Sequence, residues 1–244
     1  MIDESEAASG VPPQASERRR RESRRLLRAE TAYAVGLAAF AVLAVLAHAY
    51  AYFAWDLRLA RAVQSINFPA WAALMKWASA FGNGWTPWAL TTLTAILFLA
   101  WRRRSEAYGI ALSVAGGSLI NNIFKLLVAR PRPAADLVGF AYASRETSFP
   151  SGHVTFYVCY FGFLFFAAYA LLRRGSAMRR AALVLTGGAV ALIGLSRIYL
   201  RAHWPSDVIG AYLLSGTWLV FSLETYRRWK RNATMHTEET PASD

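Results

Sequence analysis

HVTFYVCYFGFLFFAAYALL, residues 153–172, runs for twenty positions without a Lys, Arg, Asp or Glu. An α-helix of that length rises about 30 Å, the thickness of the hydrocarbon core of a bilayer. Five further apolar stretches accompany it, at 31–53, 84–101, 107–129, 181–200 and 208–226. The chain therefore reads as all-α, an integral membrane bundle of six transmembrane helices. Composition agrees: 55% of residues are hydrophobic, yet the net charge is +12, and the mean hydropathy is +0.25. In so apolar a chain the arginines are topology signals rather than a nucleic-acid footprint, so the expected partner is the lipid bilayer and not nucleic acid. Nine Trp and eleven Tyr suit aromatic belts at the two interfaces.

Outside the apolar stretches the chain divides simply. Residues 1–30 are predicted to be a disordered, basic, cytoplasmic segment that includes the run Arg18–Arg21. Residues 31–226 form the membrane domain, and 227–244 a polar cytoplasmic tail. Small-x-small triplets around Ala47 to Ala51 resemble a signal-peptide cleavage site. The apolar run there is too long and its polar head too extended for a signal peptide, so an uncleaved helix is expected. The lone cysteine, Cys159, permits neither an internal disulfide nor a cysteine metal site, and within an apolar run it reads as an inert thiol.

Charge sets the orientation. With a cytoplasmic N-terminus, the inner segments 1–30, 102–104, 173–180 and 227–244 hold seven, three, four and four Lys or Arg, 18 of the chain's 27. That is a strong positive-inside bias. The first outer loop, 54–83, is too polar at its start to span. Trp71, Leu74, Met75, Ala78 and Phe81 recur there at helical spacing with Lys76 roughly opposite. Two descriptions fit: a short amphipathic helix lying in the outer interface, where it could guide lipid, or a simple connector.

Three short motifs carry the chemistry, and this topology puts all of them on the outer face: Lys125-x6-Arg132-Pro133, Pro150-Ser151-Gly152-His153, and Ser196-Arg197-x5-His203-x3-Asp207. Lys125 and Arg197 each lie about one turn inside a span. A single cation there is accommodated by snorkelling. Two of them beside Arg132 repel one another unless an anion lies between, and a phosphate dianion suits that place. Ser151 stands where a helix N-cap belongs, and Gly152 lets backbone approach a ligand. An ordinary helix start explains the Pro and Ser equally well, but leaves His153 unexplained. Asp207, four residues after His203, can fix one ring nitrogen and leave the other as a nucleophile; in isolation the pair also reads as a surface ion pair. The other histidines, His48 and His236, look incidental.

At these positions the chain resembles the type 2 phosphatidic acid phosphatase superfamily, whose signature is K-x6-RP, PSGH and SR-x5-H-x3-D. Every defining position matches, in order. The resemblance implies that 31–226 is a membrane phosphatase domain in which Lys125, Arg132, Ser151, Gly152 and Arg197 bind the phosphoryl oxygens. It implies that His203 attacks phosphorus to form a phosphohistidine, that Asp207 orients it, and that His153 protonates the leaving group. No metal and no other cofactor is expected. The substrate would be a membrane lipid phosphate of the phosphatidate, phosphatidylglycerophosphate or undecaprenyl diphosphate type, hydrolysed at the outer face of the inner (plasma) membrane. Specificity would come from the apolar walls and from loops such as 134–149. The alternatives are a lipid phosphotransferase using the same phosphohistidine, or a non-catalytic lipid-binding membrane protein. Soluble vanadium-dependent haloperoxidases share these motifs but not the apolar spans.

Overall fold

The computed structural model describes residues 13–139 and 147–238; the 140–146 part of the loop expected to set specificity lies outside them. Among the described residues the regular structure is all helical, without strands. Helix α1 spans Pro13–Ala49, α2 Ala54–Gln64, α3 Pro69–Ser79, α4 Thr86–Ala100, α5 Arg104–Val128 and α6 Ala135–Val138. Helices α7 (Gly152–Leu171), α8 (Ala177–Tyr199) and α9 (Pro205–Glu238) complete the order.

Among the described residues, four helices are long and apolar enough to cross a membrane: α5, α7, α8 and residues 205–231 of α9. A fifth crossing arises if the bent pair of Tyr33–Ala49 and Ala54–Gln64, which meet at 93°, counts as one span. The stretch expected as a sixth, α4, is 15 residues long, about 22 Å of rise against about 30 Å of hydrocarbon. Its start is set by the turn at Asn83–Trp85 and by Pro87 in its first turn. The molecule is a multi-pass membrane protein.

The N-terminal end differs from expectation. The helix starts at Pro13, so the described part of the segment predicted to be disordered is helical; residues 1–12 lie outside the described residues. Glu, Gln, Ala, Leu and Arg dominate this stretch, and all are strong helix formers. At the other end α9 continues to Glu238, through much of the expected tail.

The segment 54–83, expected to be an outer loop, is two helices rather than one. Residues 65–68 separate α2 from α3, and Pro69 restarts the helix at its first turn. The apolar side of α3 faces protein: Met75, Ala78 and Ser79 are buried. Ser196 of α8 donates to the Met75 carbonyl at 2.6 Å, and Tyr157 of α7 to that of Ala78 at 2.5 Å. Leu74, assigned to the same apolar face, is 37% exposed.

Helix α7 is central, packed against α5, α8 and α9. Between apolar helices in lipid the hydrophobic effect supplies little, so close contact and hydrogen bonds hold the bundle. Gly116 and Gly117 of α5 admit Trp218 and Cys159: a Cβ on Gly116 would lie 2.1 Å from Trp218 Cζ2. Trp218 Nε1 donates to the Ser113 carbonyl at 3.0 Å, and Ser113 Oγ to that of Cys159 at 2.9 Å. At the end of the bundle remote from the motifs, buried Glu106 accepts from Lys230 Nζ at 2.8 Å and from the Tyr226 hydroxyl at 3.1 Å. Near the motif end, α1 leans on α5 and α9 through Phe40, Phe124, Phe149 and Leu214. His48, which looked incidental, meets the Val128 carbonyl in the last turn of α5 at 3.1 Å.

Candidate functional site

Three helix ends converge on one cavity. Helix α5 ends in a left-handed turn at Ala129, φ 49°, and releases the chain into Arg130-Pro131-Arg132-Pro133. Helix α7 begins at Gly152. Helix α8 ends near Tyr199, and a second left-handed residue, Arg201 with φ 59°, turns the chain into His203 before Pro205 opens α9.

The cavity has a volume of about 350 Å³. Lys125, Arg132, Gly152, His153, Arg197 and His203, drawn from all three motifs, line it together. Ser151 and Asp207 do not line it; both are fully buried just behind. Each cation is held in place: Lys125 Nζ donates to the Thr147 carbonyl at 2.9 Å, Arg132 to that of Ala202 at 3.0 Å, and Arg197 to Ser79 Oγ.

Ser151 occupies the N-cap position of α7, but its hydroxyl makes no capping bond and is buried without a partner. The first amides of α7 are therefore not capped by this side chain, and they sit at the positive end of a 20-residue helix. A Cβ on Gly152 would lie 3.8 Å from Lys125 Cε and from Asn121 Nδ2, so its absence keeps open the space between helix end and lysine. Fixed cations, an uncapped helix start and an orphaned hydroxyl make an anion cradle.

The two imidazoles have different surroundings. His203 is 2% exposed. Its Nδ1 lies 3.4 Å from Ser148 Oγ and 3.6 Å from Asp207 Oδ2, while Ser148 Oγ donates to the same carboxylate oxygen in a short bond. Nδ1 is thus engaged, and Nε2 is the nitrogen left for chemistry. Asp207 also accepts from the Trp204 amide at 2.8 Å. Burial pushes His203 down from its usual pKa of 6.5 to about 4. His153 sits at the cavity edge, its Nε2 2.9 Å from Asn83 Oδ1. An amide oxygen accepts, so this contact calls for a hydrogen on His153 Nε2. The ring lies against Gly82, where a Cβ would come within 2.3 Å of His153 Cδ2.

Residues here that were not singled out from the sequence include Asn83, Ser79 and Ser148, together with Arg130, which donates to Asp207 Oδ1 at 2.6 Å, and Asp56, which accepts from Arg130 at 3.0 Å. Ser148 and Asn83 look like ordinary loop residues. Asp56 had one detectable mark, as the sole acidic residue between 54 and 83.

A multi-pass helical membrane protein with a cationic pocket and two histidines at one end is the class that the fold and site define. The chain belongs to the PAP2 superfamily, whose family model matches residues 106–231. It is similar to phosphatidylglycerophosphatase B of Bacillus subtilis (strain 168), 30% identical over 96 residues, or 39% of this chain and 46% of that protein. It is also similar to lipid A 1-phosphatase of Rhizobium johnstonii, 33% identical over 167 residues, 59% of this chain and 63% of that protein. The matches thus span about half and under two thirds of these curated relatives. Among solved structures, a transmembrane PAP2-type phosphatidylglycerolphosphate phosphatase from Bacillus subtilis superposes with a TM-score of 0.67 at 22% identity, covering 80% of this chain and 96% of that one. Aquifex aeolicus LpxE superposes at 0.53 with 25% identity, covering 70% and 96%.

Proposed function

We propose that this chain is a metal-independent phosphatase that hydrolyses a lipid phosphate or diphosphate through a phosphohistidine. The observation that carries this reading is the shared cavity: two histidines and three fixed cations from three distant motifs line one space of about 350 Å³. Catalysis of phosphoryl transfer is largely positioning and charge stabilisation, and these residues can supply both. Lys125, Arg132, Arg197 and the Gly152 amide grip the phosphoryl oxygens, with the Ser151 hydroxyl as a further donor. Neutral His203 Nε2 attacks phosphorus, forming a P–N bond as the P–O bond to the leaving group breaks. His153, as the imidazolium, gives its Nε2 proton to the departing oxygen and is left as the neutral ring. Water, deprotonated by His153, then attacks the phosphohistidine and releases inorganic phosphate. Asp207, with Ser148, holds the ring while it carries charge.

Phosphatidate, phosphatidylglycerophosphate and undecaprenyl diphosphate all present the phosphate that this cradle fits. The phosphatase names of the relatives support the reaction class. We further propose six crossings, with α4 as a short one, both termini in the cytoplasm, and the cavity on the outer face of the inner membrane.

Purified protein in detergent, given these three lipids, should release inorganic phosphate from at least one, and EDTA should not diminish the rate. His203→Ala should lower kcat by about 10³-fold or more, the scale lost with a catalytic nucleophile. Retained turnover in that variant would assign the attack to another group.

A further inference from the structure

We propose that Asp56 and Arg130 are positioning residues for the His203–Asp207 pair, forming with Asp207 a buried carboxylate–guanidinium–carboxylate cluster that holds a net charge of −1 beneath the nucleophile. This inference rests on the proposed attack by His203.

All three side chains are fully buried. Arg130 Nη1 donates to Asp207 Oδ1 at 2.6 Å and Nη2 to Asp56 Oδ2 at 3.0 Å. Its Nε is shared between the carbonyls of Tyr50 and Ala51, at 3.2 and 3.1 Å, in the elbow between α1 and α2. Ser206 closes the ring: its hydroxyl donates to Asp56 Oδ2 at 2.6 Å and accepts from Arg130 Nη1 at 2.6 Å, while its amide donates to Asp56 Oδ1 at 2.8 Å. The planar fork of an arginine holds two carboxylates in fixed directions at once; a lysine's rotatable ammonium fixes neither.

Burying three charges is costly, and a simple staple between α2 and α9 could be made from apolar side chains at no loss. What an apolar staple could not do is act on Asp207. With Arg130 alone, Asp207 would be neutralised just where the His203 ring becomes cationic as its P–N bond forms. Asp56 offsets the guanidinium and returns one negative charge to the cluster. That charge counters Arg132 and Arg197, which face the cavity with Lys125 and His153 and disfavour a charged His203. The same bonds also fix the Asp207 carboxylate, and Ser148 with it.

The experiment compares Asp56→Asn and Arg130→Gln with the unaltered protein in detergent, using whichever lipid phosphate it hydrolyses. Asp56→Asn makes the cluster neutral: kcat should fall about 10- to 100-fold, the range seen when the outer partners of a functional imidazole are removed, with KM within about twofold. Arg130→Gln makes the cluster −2: besides losing kcat, it should move the acid limb of kcat/KM upward in pH, because added negative charge favours protonated His203. Should Asp56→Asn not accumulate in a folded form, Ser206→Ala deletes only a hydroxyl and should still lower kcat by several-fold at unchanged KM. A cluster that merely joins helices would lower the melting temperature in these variants while leaving kcat and the pH limb where they were, and that outcome overturns the proposal. Absence of phosphate release from the unaltered protein would instead sink the functional reading on which it rests.

Discussion

The surroundings of His203 keep its ring neutral well below the pH at which a solvated imidazole takes up a proton. Burial is the main cause of its fall to about 4, Arg132 and Arg197 add to it, and Asp207 opposes it. Protonation of the free enzyme governs the acid limb of kcat/KM. This limb is therefore expected near pH 4, with kcat/KM level from there towards neutrality as far as His203 is concerned. A limb near 6.5, the value of a solvated imidazole, would mean that water reaches the ring. At this scale much of the cavity was legible in the sequence, because Lys125, Arg132, Gly152, His153, Arg197 and His203 belong to motifs with fixed spacing. The supporting layer was not. Asp56 and Arg130 are 74 positions apart, and a charge in a polar loop reads as solvated until folding buries it. Ser148 and Asn83 act through hydrogen-bond geometry, which composition cannot encode. Ser151 was legible as an N-cap position, but its hydroxyl does no capping.

Among the helices, hydropathy identified every apolar stretch but not how each is used. The stretch at 84–101 has the composition of a span, yet Pro87 and the preceding turn leave α4 at 15 residues. The 54–83 loop carried helical periodicity, but the break before Pro69 divides it, and the buried side of α3 packs on α8, with Ser79 holding Arg197, rather than lying free. Close helix contact was equally hidden, since a glycine in an apolar run does not reveal what it faces. Two glycines separate packing from backbone effects. Gly116→Ala would place a Cβ 2.1 Å from Trp218 Cζ2, whereas a Cβ on Gly188 meets nothing within 4 Å. Overpacking should cost Gly116→Ala about 1–3 kcal/mol. Gly188→Ala should gain up to about 1 kcal/mol from helix propensity. Thermal unfolding in detergent, followed by tryptophan fluorescence, should thus show opposite shifts. Equal shifts would mean that α5 and α9 do not close over Gly116.

For the whole molecule, the outstanding quantity is direction across the membrane, which helix packing alone does not fix. Charge is the physical handle on it. Lys and Arg concentrate in the segments 1–30, 102–104, 173–180 and 227–244, which hold 18 of 27, whereas the cavity lies at the opposite helix ends. Moving those cations outward would oppose the electrical asymmetry that orients inserting helices. The turn at Ser65, exposed and close to the cavity end, should therefore face outward, and Ala177, exposed at the start of α8, should face the cytoplasm. In a Cys159→Ala background, Ser65→Cys should react with an impermeant thiol reagent added to intact cells, and Ala177→Cys only after the cells are opened. The buried Cys159 is removed so that any signal comes from the introduced thiol. Labelling of position 177 with position 65 protected would reverse the molecule. The cradle would then take its phosphate from the inner leaflet, against the charge bias of the chain.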